Sequence, residues 1–121
     1  MSIINYKDGR PIYEQIAGYY RRLILKGILG EDEQMPSVRS LAMELSTNPN
    51  TVQKAYQALI AEGYLYTVSG RGNFVAEAGE LRRKKREDLK RRFAGLVKEA
   101  KELGMDPKEL WPSGSGPEDF E

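Results

Sequence analysis

The stretch Met35-Pro36-Ser37-Val38-Arg39-Ser40-Leu41-Ala42-Met43-Glu44-Leu45-Ser46-Thr47-Asn48-Pro49-Asn50-Thr51-Val52-Gln53-Lys54-Ala55-Tyr56 decides the fold. Ser37 is an N-cap candidate, since its hydroxyl can accept from a free N–H of a first helical turn. Val38, Leu41, Ala42 and Leu45 then share one helical face, which predicts an amphipathic helix of about two turns. Ser46-Thr47 makes a turn. Asn48-Pro49 restarts a helix as N-cap and N1 proline, because proline's fixed φ suits that position and its missing N–H costs nothing there. Val52, Ala55, Tyr56, Leu59 and Ile60 form the buried stripe of this helix, and Glu62-Gly63 ends it. Two short helices across a tight turn make a helix-turn-helix unit.

The flanks complete the pattern. Upstream, Pro11 suits a first helical turn, and Ile12, Ile16, Tyr20, Leu23 and Ile24 fall on one face of a helix that Gly27 and Gly30 end. Residues 31–36 read as a polar loop. Downstream, Tyr64–Val68 and Asn73–Val75 read as two strands around the turn Ser69-Gly70-Arg71-Gly72. A hairpin after the third helix makes the helix-turn-helix a winged one. Residues 81–103 follow as a separate helix about 35 Å long. Asp106-Pro107-Lys108-Glu109 looks like the start of one more short helix through Trp111. The expected fold is mainly α with a small β-hairpin. A winged helix-turn-helix DNA-binding domain spans 1–77, a helical dimerisation segment 78–111, and a disordered acidic tail 112–121, rich in Pro, Ser and Gly.

Composition narrows the chemistry. The 121 residues include no cysteine and no histidine, which excludes disulfides, Cys/His zinc sites, thiol nucleophiles and imidazole acid–base catalysis. No enzyme site is expected. Absence of cysteine fits the cytoplasm. No apolar run reaches the ~18 residues of a membrane span, and the N-terminus lacks the order of a signal peptide. Residues 1–76 carry 8 basic and 7 acidic side chains, 77–103 carry 10 and 6, and 104–121 carry 1 and 5, together the 19 and 18 of the whole chain. A near-neutral body is thus followed by a basic segment and an acidic tail.

The exposed face of the third helix carries Asn50, Thr51, Gln53, Lys54 and Gln57. Asn and Gln can pair bidentately with adenine, and Lys with guanine or a phosphate. The N-terminal end of such a helix is the part that enters the major groove. Ser37 and Arg39 open the second helix, where a hydroxyl, a guanidinium and free N–H groups can clamp a phosphate; a salt bridge from Arg39 to Glu44 or another surface acid is the competing expectation. Arg71, between Gly70 and Gly72, can reach a minor groove from the hairpin tip. Arg82-Arg83-Lys84-Lys85-Arg86 reads first as a solvated helix start and second as a reach to flanking phosphates, and it carries no base code. Tyr13, Tyr19 and Tyr20 are at helical spacing and read as core and rim residues, not base-stacking platforms. Leu89, Phe93, Leu96, Val97, Ala100 and Leu103 form an apolar stripe on the long helix, which either packs back on its own domain or, as the helix length favours, pairs with a second copy.

Pro11-Ile12-Tyr13-Glu14-Gln15-Ile16, Met35-Pro36-Ser37-Val38-Arg39-Ser40-Leu41-Ala42, Asn48-Pro49-Asn50-Thr51-Val52-Gln53-Lys54-Ala55-Tyr56, Glu62-Gly63 and Gly70-Arg71-Gly72-Asn73-Phe74-Val75, in this order, resemble the winged-helix domain of the GntR family of bacterial transcription regulators. The resemblance covers about residues 10–76. The short helical remainder resembles the small YtrA-type subgroup, in which such a tail serves dimerisation. It implies a dimeric repressor on a two-fold DNA operator, with an operon encoding a transporter as target. It also implies Arg39, Asn50, Thr51, Lys54, Arg71 and Gly72 as DNA contacts. Four residues at three places depart from the family pattern: Ser46-Thr47 replaces a common Gly-Val, Asn73 a usual Thr, and Asn50 an Arg found in other subgroups. No cofactor is implied, and a small-molecule effector is left open. Two other classes compete: a small-molecule sensor whose DNA binding is only its output, and a winged-helix module that binds proteins.

Overall fold

The computed structural model describes residues 3–112 and Gly116. Helix α1 spans Ile12–Leu25, α2 Val38–Leu45 and α3 Pro49–Ala61; strands β1 (Leu65–Val68) and β2 (Gly72–Val75) follow; α4 spans Gly79–Glu102, and a single 3-10 turn spans Pro107–Leu110. The acidic-tail expectation for 112–121 lies almost wholly outside the described residues. Two compact units make up the chain, Met1–Arg82 and Arg83–Glu121.

In the first unit the local signals act where the sequence places them. The Ser37 hydroxyl accepts from the Ser40 N–H at 3.0 Å and so starts α2. Asn48 Oδ1 accepts from the Asn50 N–H at 2.8 Å, with Pro49 opening α3. Between the two helices, Ser46 adopts the left-handed conformation at φ 53° and ψ 45°, the place where the family commonly has glycine. A non-glycine residue there costs about 1–2 kcal/mol, so the departure at Ser46 is borne as backbone strain and the turn keeps its shape. Pro11 sits at the N-cap, one residue ahead of α1.

The apolar stripes of α1, α2 and α3 meet in one core. Ile16, Ile24, Leu41, Val52, Tyr56, Leu59, Tyr64 and Val75 are its largest fully buried side chains. The buried Gln15 is satisfied on all sides: its Oε1 accepts from the Asn5 N–H, and its Nε2 donates to the carbonyls of Asn5 and Arg10. This pins the N-terminal arm against α1 and seats Ile4 in the core. Tyr20 and Tyr56 meet edge-to-face at 6.4 Å, and the Tyr56 hydroxyl donates to the Pro36 carbonyl at 2.7 Å. That bond ties α3 to the segment entering α2.

These phenols make stability sensitive to alkali. Burial, with smaller contributions from Tyr19 and Glu44, pushes the Tyr20 phenol up to about 12. Burial, then Tyr20, pushes Tyr56 up as well. A folded-state value above the unfolded one means that folding favours the neutral phenol. The contribution is fully present below about pH 10 and is lost as pH rises through the folded value. With no histidine in the chain, thermal unfolding is expected to vary little between about pH 6 and 9 and to fall steeply above about pH 10. Tyr20→Phe should flatten part of that fall.

Three departures from the sequence expectations have physical causes. Residues 31–36 are not a free loop. Gln34 bridges Phe74 in antiparallel sense, Asp32 N–H donates to Val75 O at 2.7 Å, Val75 N–H to Glu33 O at 2.9 Å, and Met35 N–H to Asn73 O at 2.9 Å. The outer edge of β2 presents unpaired backbone groups, and this segment satisfies them. The body also extends past residue 77. Ala78 is buried, Leu81 packs on the core, and Arg82 donates to the carbonyls of Leu25 and Ile24 at 2.8 and 3.3 Å, capping the C-terminal end of α1 with a cation. Finally, Asp106 caps Lys108 N–H at 3.0 Å as expected, but the short helix is one 3-10 turn that stops at Leu110, short of Trp111.

In the second unit α4 ends where Gly104 takes φ 75° and Met105 N–H returns to Ala100 O at 2.9 Å. Ala100 is only 2% exposed, so it is already covered within the chain and leaves the apolar stripe. Val97 is half-buried. Leu89, Phe93, Leu96 and Leu103 remain 57%, 49%, 52% and 78% exposed.

Candidate nucleic-acid interface

Burial of Val52, Ala55, Tyr56 and Leu59 fixes which face of α3 turns outward. Asn50, Gln53, Lys54 and Gln57 lie opposite, at i, i+3, i+4 and i+7, and all four are exposed. Thr51 is half-buried beside them. No hydrogen bond or ion pair within the chain occupies the side chains of Asn50, Gln53 or Gln57 among the described residues. Lys54 differs: its ammonium lies 4.2 Å from the centroid of the Tyr13 ring. This cation–π contact holds the side chain toward α1, so Tyr13 is a rim residue that orients a cation. Tyr13, Asn48, Asn50, Thr51 and Lys54 line one shallow, open concavity of roughly 410 Å³ at the N-terminal ends of α1 and α3.

At the start of α2, Ser37 and Arg39 are both exposed. The Ser37 oxygen is engaged in capping, which leaves its O–H free to donate to a phosphate. The expected competing salt bridge from Arg39 to Glu44 does not form, and the Arg39 guanidinium is unpaired among the described residues.

The wing places its cation at the tip. β1 and β2 pair antiparallel from Leu65 opposite Val75 to Val68 opposite Gly72. Arg71 N–H donates to Val68 O at 2.9 Å, which closes the turn. Gly70 and Gly72 take φ 76° and 119°, regions that a side chain would strain. A Cβ on Gly72 would also stand 3.3 Å from Gln34 Nε2. The Arg71 side chain is exposed, and it is unpaired among the described residues. Below the tip, the Thr67 hydroxyl donates to Asn73 Oδ1 at 2.7 Å, so the departure at Asn73 is accommodated inside the hairpin.

The structure thus groups Asn50, Gln53 and Lys54 on one helix face, with Ser37 and Arg39 at the start of α2 and Arg71 and Gly72 on the wing of the same compact unit. Two contacts escape the sequence pattern, the Tyr13 ring under Lys54 and the Gln34 amide behind the wing tip. No local signal marks either, since each acts on a residue 37 or more positions away. Exposed ion pairs on α4, such as Arg92 with Asp88 at 3.1 Å, occupy part of its charge. No helix of the described residues is long and apolar enough to cross a membrane.

A short helix, a strained tight turn, a second helix with its polar face outward and a cation-tipped hairpin define a winged helix-turn-helix DNA-binding domain. The pattern described as "Bacterial regulatory proteins, gntR family" matches residues 12–75, and the chain belongs to this family of transcription regulators. It is 38% identical over 109 residues to the HTH-type transcriptional repressor YtrA of Bacillus subtilis (strain 168), covering 88% of this chain and 84% of that one. It is similar to the crystal structure of a transcriptional regulator from Oenococcus oeni, with a TM-score of 0.73, 25% identity, and coverage of 91% and 92% of the two chains. It is also similar to AraR(DBD) in complex with operator ORE1, with a TM-score of 0.54, 29% identity, and coverage of 60% of this chain and 89% of that one. The chain is therefore a transcription regulator with a DNA-binding domain, and not an enzyme.

Proposed function

We propose that the protein is a dimeric repressor in which two winged helices read a two-fold DNA operator, with half-sites about one helical turn apart. The observation that carries this is the outward face of α3, where Asn50, Gln53 and Gln57 have no partner among the described residues while the opposite face is fully buried. Asn50 and Gln53 read base edges, Thr51 adds a hydroxyl or methyl contact, and Lys54, steered by Tyr13, takes a phosphate or guanine. Ser37 and Arg39 clamp a backbone phosphate, and Arg71 with Gly72 brings the wing tip to a minor groove. The relative named YtrA is a repressor, which supports repression as the outcome. Leu89, Phe93, Leu96 and Leu103 recur at spacings of 4, 3 and 7, the repeat of a helix seam packed on another helix. The tail thereby supplies the second copy.

Two phosphate contacts can be separated from base contacts by salt. A duplex selected from a random-sequence pool by the full-length protein serves as operator. Arg39→Ala is expected to weaken binding to operator and scrambled DNA alike. It should also reduce the slope of log K against log salt by about one unit per half-site. Lys54→Ala should do the same if it contacts phosphate. A loss confined to the operator would make either residue a base reader.

A further inference from the structure

The wing tip is held from outside the wing. Gln34 lies on the strand-like segment that leads into α2, two residues before Pro36. Its Nε2 donates to the Arg71 carbonyl at 2.8 Å, across 37 positions of sequence. Its backbone forms the bridge to Phe74. The same segment is also fastened from β1 by the Tyr66 hydroxyl, which donates to Asp32 Oδ1 at 2.6 Å, while the Tyr66 and Phe74 rings stack at 5.7 Å. Asp32 itself takes φ 67°, a left-handed conformation that a non-glycine residue adopts at a cost and that this bond helps to hold. The Gln34 amide therefore touches the peptide unit from which the Arg71 side chain departs, and it packs where any side chain on Gly72 would stand.

We infer that Gln34 is a positioning residue for DNA recognition: it locks the wing tip to the segment entering α2, so that Arg71 is presented at a fixed height relative to the helix-turn-helix. A two-stranded hairpin joined by a glycine-flanked turn is otherwise free to sway at its tip, because glycine widens the accessible backbone space. Without the clamp, Arg71 would have to be ordered at the moment of binding, and affinity would fall by that ordering cost. The inference rests on the proposed role of Arg71 as a DNA contact. It names a different residue, one that does not need to touch DNA.

The test is a double-mutant cycle in the full-length protein. Gln34→Met keeps the length and stem of the side chain and removes the donor. Affinity is measured by titration for the selected operator carrying A·T-rich or G·C-rich flanks, because narrow A·T-rich minor grooves attract arginine. Arg71→Ala should weaken binding to the A·T-flanked duplex and flatten the flank preference. Gln34→Met should weaken that binding about three- to tenfold, the range of one net hydrogen bond, and flatten the same preference. In the Arg71→Ala background Gln34→Met should add no further loss. If Arg71→Ala leaves affinity unchanged, the assigned role of Arg71 fails and the inference falls with it. If Arg71→Ala is damaging while Gln34→Met is neutral, only the positioning role is overturned. An equal loss from Gln34→Met in both backgrounds also overturns it, by showing that Gln34 acts on DNA or on the fold independently of Arg71.

Discussion

Phe93→Asp is expected to convert the protein to a monomer in sedimentation velocity at micromolar concentration and to lower operator affinity by about 10²–10⁴-fold. Phe93 sits near the middle of the exposed row formed with Leu89 and Leu96 on α4 and Leu103 just past its end. A row of large apolar side chains left to water is a standing site of association, and a symmetric partner buries it twice over. A carboxylate placed in such a seam would have to be desolvated, at a cost that the remaining leucines cannot offset. Each monomer would keep its own winged helix and its own hold on one half-site. What disappears is the second half-site presented at high effective concentration. Affinity for an isolated half-site should then be nearly the same for Phe93→Asp and wild type. A chain ending after Arg82 is expected to behave likewise. It should keep that residue, because Leu81 packs on the core and Arg82 caps α1. If Phe93→Asp still sediments as a dimer, the interface lies elsewhere in the chain.

Asn50→Ala and Gln53→Ala are expected to reduce discrimination between operator and scrambled DNA by about 1–3 kcal/mol for each bidentate pairing with a base that the truncation removes. Binding to scrambled DNA should change little. Both side chains project from the first turns of α3, and neither is held by a bond to the described residues, so truncation leaves the fold intact. Asn50 has a further property: the capping bond at this position uses its backbone N–H and the Asn48 side chain. Its own amide stays free for a base, and Asn50→Ala should keep the cap, whereas Asn48→Ala would remove it. Competition titrations with the two duplexes measure the difference. Equal weakening on both would place these residues on phosphates and move base reading to Lys54 and Gln57.

The sequence by itself determined the element order, the two helix starts of the helix-turn-helix, the face of α3 that turns outward and the position of the wing. Those features are local. Ser37 and Asn48 act on N–H groups two or three residues ahead, Pro49 acts on its own φ, and the stripe of Val52, Ala55, Tyr56 and Leu59 follows from 3.6 residues per turn. Only the tertiary structure decided the rest. It zipped the polar segment 31–36 onto β2, where nothing in Glu31-Asp32-Glu33-Gln34 alternates as a strand would. It set Lys54 over Tyr13, Gln34 under Arg71 and Arg82 against the end of α1, and it returned the Met105 N–H to the carbonyl of the buried Ala100. Each of these contacts except the last joins residues dozens of positions apart. They are made because a backbone edge, a ring face or a helix end was left unsatisfied when the core closed. Such demands arise from how elements meet in space, and no spacing along the chain records them.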